Sequence, residues 1–158
     1  MKNILLIFTC FIIACTANEN SKYNETNLIE HGVPLKIMAP DSLSVSKSSI
    51  GFQEDITLKG GNGFDLQLFV SESTVGSKAK AIADQKEAVE SIPFFSEIIR
   101  SDENGFVYKN QIDSTLTTYG FKYIHLMGGK EYVFSQSLMG SFTLDEVEEM
   151  YKCVEQKK

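Results

Sequence analysis

The chain has 158 residues, of which 42% are hydrophobic and 23% are charged, and its formal net charge is −6 at pH 7. This length suits one domain with a sizeable core. The acidic balance argues against a nucleic-acid-binding protein, which needs a basic face, and against attachment to an anionic membrane through charge.

The first fifteen residues have the pattern of an export signal. Lys2 supplies a positive charge, residues 4–13 are mostly apolar, and Cys15 follows Ala14. The apolar run is shorter than the about 20 residues that a membrane span needs. A general signal-peptidase site has small residues at positions −3 and −1, whereas the bulky Ile12 occupies position −3 here. An ordinary signal peptide followed by an incidental cysteine is the less favoured alternative.

The segment 12–15, Ile-Ile-Ala-Cys, resembles the lipobox of bacterial lipoproteins. The resemblance implies a signal peptide over 1–14, cleavage before Cys15, and a diacylglycerol thioether with palmitate-type chains on that cysteine. Cys10 lacks this context. Thr16 replaces the aspartate that retains some lipoproteins at the inner membrane, which favours an outer-membrane location in the bacterial cell envelope. Because the mature chain is acidic, the lipid alone is expected to contact the bilayer.

The mature chain is divided into a tether and a domain. Residues 15–27 are predicted to be the lipidated Cys15 and a flexible tether, since this segment is polar, rich in Asn and without hydrophobic periodicity. Residues 28–158 are predicted to form a single domain. Cys153 is the other cysteine left after processing, so no disulfide framework is expected and packing must stabilise the domain.

The first half of the domain is predicted to be mostly strands, over 35–39, around 43–46, over 56–59 and over 64–70. The Gly-Gly-Asn-Gly sequence at 60–63 is a strong turn signal, so the last two strands are expected to form a hairpin. Alternate residues of its second arm are apolar: Phe64, Leu66, Leu68 and Val70. This alternation is typical of a half-buried strand.

Two helices and two further hairpins are predicted in the second half. Ser77 is expected to cap a helix that runs to about Ser91, with an apolar stripe of Ala79, Ile82, Ala83 and Val89. The predicted hairpins join 95–100 to 106–112 and 115–127 to 131–137. Thr143 and Glu146 form a capping box for the last helix, whose apolar stripe is Val147, Met150, Tyr151 and Val154.

This order of elements predicts an α+β fold, an α/β/α sandwich with a mostly antiparallel sheet and two main helices. The order is similar to the PsbP-like fold. The likeness rests on Ala-Pro-Asp at 39–41, Asn-Gly-Phe-Val-Tyr at 104–108, Gly-Gly-Lys at 128–130 and Phe-Thr-Leu-Asp-Glu-Val at 142–147. Family members often carry an aromatic residue where this chain has Leu43. The resemblance implies binding or assembly factors, and it implies no metal or partner residues for this chain.

No residue pattern indicates catalysis, a cofactor or a metal. His31 and His125 lie outside any metalloprotease spacing, and His125 is expected to be a buried or rim histidine with a local hydrogen bond. Cys153 is expected to pack in the core. The acidic run over 145–149 lacks the spacing of a calcium loop and is expected to be a solvated helix start.

Three functions remain open at this point. The leading hypothesis is a non-enzymatic envelope lipoprotein that binds or assembles another envelope protein. The alternative is a small-ligand or lipid-binding lipoprotein with a cavity between sheet and helix. A hydrolase with a scattered site that includes His125 is less favoured.

Overall fold

A computed structural model of the protein describes residues 22–61 and 63–156. The elements in this part of the chain are β1 (Asn24–Asn27), β2 (Lys36–Ala39), β3 (Ser44–Ile50), β4 (Gln53–Lys59), β5 (Asp65–Glu72), α1 (Lys78–Glu90), β6 (Phe95–Ser101), β7 (Gly105–Gln111), β8 (Thr117–Met127), β9 (Lys130–Gln136) and α2 (Leu144–Val154). The predicted signal peptide and the lipidation site Cys15 lie outside the described residues.

Seven strands form one sheet in the order β3-β4-β5-β9-β8-β7-β6, and each neighbouring pair is antiparallel. Strands β1 and β2 form a separate antiparallel ribbon. Helix α2 and β2 pack together near one face of the sheet, and α1 packs against the other face. The α+β fold with a mostly antiparallel sheet and two helices is confirmed.

The larger of the two cores lies between the sheet and α2. The alternate residues of β5 predicted to share a face are all buried in it, together with the predicted apolar stripe of α2. The capping box is also present: Thr143 Oγ1 accepts a hydrogen bond from the Glu146 backbone, and the Glu146 carboxylate accepts one from the Thr143 backbone. Local signals and tertiary packing agree in this helix, which is why its prediction is confirmed in detail.

Helix α1 begins as predicted, because the Ser77 side chain accepts a hydrogen bond from the Lys80 backbone. Its predicted apolar stripe is wrong at two positions, since Ala79 and Ala83 are exposed. The buried residues are Ala81, Ile82 and Val89. The side facing the sheet also carries polar side chains: Lys78 Nζ donates to Asn104 Oδ1 at 2.8 Å, and Gln85 donates to Glu131 at 3.4 Å. The spacing of apolar residues alone therefore does not identify which side of this helix packs against the sheet.

The tether prediction is wrong at its end, because Asn24–Asn27 is strand β1 and pairs with β2. The Tyr23 ring lies 5.6 Å from the Phe64 ring, and Asn24 donates to Asp41 at 2.5 Å. The ordered domain thus begins before Leu28. Backbone pairing, an aromatic contact and polar side-chain contacts hold this segment, and none of these produces the hydrophobic periodicity on which the prediction depended.

An ionic network joins α2 to the turn between β6 and β7. Arg100 donates from Nε and Nη2 to the Glu148 carboxylate, both at 2.8 Å, and from Nη1 to Asp102 at 2.9 Å. The Arg100 guanidinium also stacks 4.1 Å from the centre of the Tyr151 ring. Hydrogen bonding to Glu148 raises the pKa of Arg100 further above its usual value. The network fixes the helix on the sheet.

Asp102 accepts most of the hydrogen bonds in this network. The Tyr151 hydroxyl donates to both of its carboxylate oxygens at 2.8 Å, and the backbones of Asn104 and Gly105 donate to Oδ1. Partial burial alone would raise the pKa of Asp102, but these hydrogen bonds and the Arg100 charge outweigh it and hold the pKa below its usual value. Burial, then Asp102, raises the pKa of Tyr151, so its hydroxyl stays protonated.

Asp102→Ala is expected to lower the free energy of unfolding by about 2–4 kcal/mol at neutral pH, because it removes the acceptor of a buried hydroxyl and of two turn amides. The folded pKa is depressed, so this contribution is present above the unfolded pKa of about 3.9 and is lost as the pH falls through the folded value. Urea denaturation across that range measures both effects. In a Tyr151→Phe chain the same substitution should cost less, and an equal cost would contradict the network.

Candidate functional site

Helix α1 covers only part of its face of the sheet. It packs mainly against β8 and β6, and its apolar contacts are with Phe106, Tyr108, Ile124 and Val133. Strands β3 and β4 lie beyond these contacts, and β5 contributes the partly buried Phe69 at their edge. This half of the face therefore has a different lining, which is polar.

A row of polar side chains on this face crosses β3, β4 and β5 and continues onto β9 and β8. We call the row the polar strip; its members are Ser46, Thr57, Gln67, Ser135 and Lys122. Successive members from β3 to β9 are directly paired, and Lys122 precedes Tyr123, which pairs with the residue before Ser135. Directly opposed residues share a face of a sheet. The intervening residues of these strands face the α2 core.

Two members of the polar strip are buried, and one of them has an unpaired hydroxyl. Gln67 is 6% exposed and Ser135 is 1% exposed. Thr57 Oγ1 donates to Gln67 Oε1 at 3.2 Å, whereas Ser135 Oγ has no partner among the described residues. Buried polar atoms nearly always have partners, and leaving one unpaired costs about 1–3 kcal/mol. The Ser135 hydroxyl is therefore an unsatisfied hydrogen-bonding group beneath the surface of the strip.

Carboxylate oxygens beside the strip share this property. Asp55 neighbours Thr57 on β4, and Asp65 neighbours Gln67 on β5; one oxygen of each is buried without a partner among the described residues. The other oxygen of Asp65 pairs with Lys59 at 3.2 Å. Two partly exposed carboxylates, each with one buried and unpaired oxygen, thus lie next to the hydroxyl and amide groups of the strip.

Lys122 brings a positive charge to one end of the strip. Its Nζ lies 5.7 Å from the centre of the Phe69 ring, and burial lowers the pKa of its ammonium group. Among the described residues it has this aromatic contact and no ion pair or hydrogen bond. The strip therefore combines an aromatic ring, a cation without a carboxylate partner, and several hydrogen-bonding groups.

Next to Lys122, hydrogen bonds of the Gln136 side chain take the place of backbone pairing between β8 and β9. Beyond Tyr123 the pairing of these strands stops, and the Gln136 side chain accepts a hydrogen bond from the Phe121 backbone at 2.9 Å and donates to the Tyr108 hydroxyl at 3.1 Å. Gly120 leaves room for this arrangement, since a Cβ there would lie 2.4 Å from the Tyr108 ring. Burial raises the pKa of Tyr108.

The residues considered for catalysis or metal binding are separate from the strip. His31 is exposed in a short 3-10 turn, and His125 is half-buried on β8. Burial, then the Lys78 charge, lowers the pKa of His125. Cys153 is buried in the α2 core, and burial raises the pKa of its thiol to about 12, which disfavours a thiolate. Within the described ranges, no group of three or more His, Cys, Asp or Glu residues could hold a metal.

The interface between the sheet and α2, where a ligand cavity was considered, is filled by fully buried side chains that include Tyr151, Phe121 and Phe134. An open concavity of about 310 Å³ lies elsewhere, beside β2 and the residues after α2. Its lining includes Pro34, Lys36, Met38, Glu155 and Gln156.

Sequence reasoning missed the polar strip. Polar residues at alternate positions of a strand are normally attributed to a solvated face, and Thr57 and Gln67 fit that interpretation. The signal that could have revealed the strip is that the neighbouring strands also have polar residues on this face, Ser46 paired with Thr57 and Ser135 paired with Gln67. Recognising the strip needs the register of all these strands.

No family model, curated protein or solved structure matches this chain. The likeness to the PsbP-like fold therefore stays a prediction. In the part of the chain that the structure describes, no helix is long and apolar enough to cross a membrane.

Proposed function

We propose that the chain is a lipid-anchored protein of the bacterial cell envelope, held at the outer membrane through Cys15, that binds another envelope protein without catalysis. The observation that carries the binding role is the polar strip, with its buried unpaired atoms and its unneutralised lysine. The anchor is proposed from the resemblance of 12–15 to a lipobox.

The chemistry of the strip indicates the kind of partner segment that fits it. A carboxylate would meet Lys122, and backbone or side-chain N–H groups would meet the exposed Ser46 hydroxyl and the partly exposed carboxylates of Asp55 and Asp65. Both needs are met by an extended, acidic segment of a protein, because its backbone supplies regularly spaced donors and its side chains supply charge. Phe69 adds an apolar contact beside Lys122.

Site-specific photocrosslinking in cells tests this assignment. Ser46 lies on the strip and Ser49 lies on the other face of the same strand, and both are exposed. A photoreactive residue at Ser46 is expected to capture one dominant envelope protein in the full-length, lipidated chain, while the same residue at Ser49 captures none. Equal capture from both positions, or capture from neither, would count against the strip.

Lys122→Met is expected to weaken partner binding about tenfold or more, because a hydrogen bond to a charged group contributes roughly 1.5–3 kcal/mol. Methionine keeps the length and apolar stem of the side chain. Lys86→Met is the matched control, since Lys86 Nζ also lies over an aromatic ring, 5.8 Å from the centre of Phe106, but outside the strip. Titration of the captured partner against each variant measures the effect, and similar losses in both would contradict a specific role for Lys122.

The concavity beside β2 favours a small-ligand function as the second candidate. Its volume of about 310 Å³ is at the lower end of the range for ligand pockets, and its lining mixes apolar Pro34 and Met38 with polar Lys36 and Gln156. Native mass spectrometry of the protein purified from its own envelope tests this candidate. A retained small molecule that Met38→Asp displaces would support it, and protein without added mass would dismiss it.

A further inference from the structure

The described chain begins at one end of the seven-stranded sheet. The Tyr23 ring contacts Phe64 in the turn between β4 and β5, and a Cβ on Gly60 of the same turn would lie 2.3 Å from Pro40, which follows β2. Asn24, the first residue of β1, pairs with Ala39. We call this the proximal end of the sheet, because the lipid-bearing segment must join the domain there.

Exposed apolar side chains occur on the loops of the proximal end. We call them the apolar rim; they are Ile92, Phe94, Ile112, Leu116, Leu138 and Met139. Leu138 is 69% exposed and Met139 is 84% exposed, on the loop between β9 and α2. Large apolar groups that stand out from a surface in this way mark contact sites for proteins or membranes.

Backbone hydrogen bonds tie these loops to the proximal end. Gln111 N donates to Phe94 O at 2.8 Å, and Ile112 N donates to Leu116 O at 2.9 Å, which brings the start of β6 and the β7–β8 turn together. Ser137 N donates to Asp65 O at 2.8 Å, so the loop after β9 lies beside the β4–β5 turn. The antiparallel order puts all three loops at the same end of the sheet.

The length of chain between lipid and domain limits where the domain can lie. Residues 15–21 separate the lipidated cysteine of the proposed function from Lys22, and a fully extended chain of that length spans at most about 25 Å. The proximal end must therefore stay within about 25 Å of the bilayer, whereas this limit does not apply to the tip of the β3–β4 hairpin, where Phe52 is fully exposed. The anchor raises the local concentration of the rim at the membrane surface.

We infer that the apolar rim docks on the bilayer to which Cys15 is anchored, with Leu138, Met139 and Phe94 in its interfacial layer. This inference rests on the lipid anchor of the proposed function. It replaces the expectation that the lipid alone contacts the bilayer: the acidic charge of the chain opposes binding to anionic headgroups, but it does not oppose burial of apolar loops in a zwitterionic surface.

The absence of tryptophan from the sequence allows a direct test. Leu138→Trp and Phe94→Trp each put a single fluorescent reporter in the rim, and Phe52→Trp puts one at the opposite end of the sheet. The lipidated full-length protein is purified from membranes and inserted into phosphatidylcholine vesicles with or without brominated acyl chains. The rim reporters are expected to shift their emission to the blue and to lose fluorescence on brominated lipid, while the Phe52→Trp reporter does neither.

The outcomes separate the rim from the anchor. Intact mass first establishes whether Cys15 carries lipid; a chain without lipid overturns both the anchor and the docking. Lipidated, vesicle-bound protein whose rim reporters are quenched no more than the Phe52→Trp reporter overturns the docking alone. Photocrosslinking from Leu138 in cells that captures a protein in place of lipid also overturns it, and assigns the rim to a protein contact.

Discussion

Replacing Cys15 with alanine is expected to move the protein from the membrane fraction to the soluble fraction of the envelope. Acyl chains contribute about 0.8 kcal/mol per buried CH₂, and two or more chains anchor a protein stably. The apolar rim has a few side chains at the surface and cannot replace that contribution. Fractionation of cells and intact mass of the purified chain measure the loss of both membrane association and lipid mass.

Cys10→Ala is the matched control, because Cys10 lies in the same apolar run but is preceded by Phe8 and Thr9 in place of the small residues of a lipobox. This variant is expected to remain in the membrane fraction with full lipid mass. Sedimentation of the Cys15→Ala protein with membranes, in the absence of aggregation, would contradict the anchor. Release of the Cys10→Ala protein would instead indicate that Cys10 carries the lipid.

Helix α2 and the hairpins could be predicted because several independent signals agreed on each of them. In α2, the capping box of Thr143 and Glu146 marks the start, and the spacing of Val147, Met150 and Tyr151 marks the buried side. In the hairpins, turns that contain glycine separate segments rich in β-branched, aromatic and other apolar residues. Agreement between local preference and tertiary packing is what makes a sequence interpretable in this way.

The strands without apolar alternation could not be predicted with the same accuracy. Strand β1, Asn-Glu-Thr-Asn, is held by pairing with β2, and strand β3 is seven residues long although most of its side chains are exposed. Backbone hydrogen bonds form regardless of side-chain polarity, so such strands depend on the presence of a partner strand. Only the three-dimensional pairing supplies that information.

The two parts of the proposed site differ in the same way. The anchor depends on neighbouring residues around Cys15 and can be predicted from sequence alone. The polar strip depends on the register of several strands and on the burial of Ser135, and neither follows from local sequence. With the rim at the proximal end on the bilayer, the strip would face along the membrane surface, where a partner anchored in the same membrane can reach it.

Gly105→Ala is expected to destabilise the domain more than any other single-methyl addition considered above. A Cβ at Gly105 would lie 2.0 Å from the Lys122 carbonyl oxygen and 3.0 Å from the Tyr123 Cα, both backbone atoms of the paired strand β8. A backbone oxygen cannot rotate away as a side chain can, so β7 and β8 must separate. We expect a loss of about 3 kcal/mol, a large fraction of the roughly 5–15 kcal/mol that stabilises a domain.

Two other glycines make this prediction specific. Gly76→Ala adds the same methyl group where no atom lies within 4 Å, and it should be neutral or stabilising by about 0.4–1 kcal/mol. Gly120→Ala meets the side chains of Tyr108 and Gln136, which can shift, so its cost in the free energy of unfolding should lie between those of the other two variants.

Urea midpoints of the three variants test this order. Equal midpoints for Gly105→Ala and Gly76→Ala would mean that β7 and β8 do not approach each other at this point. Because Gly105 does not adopt a left-handed conformation, the requirement for glycine here is that close approach of the strands, whereas the predicted hairpin put Gly105 in the connection between 95–100 and 106–112.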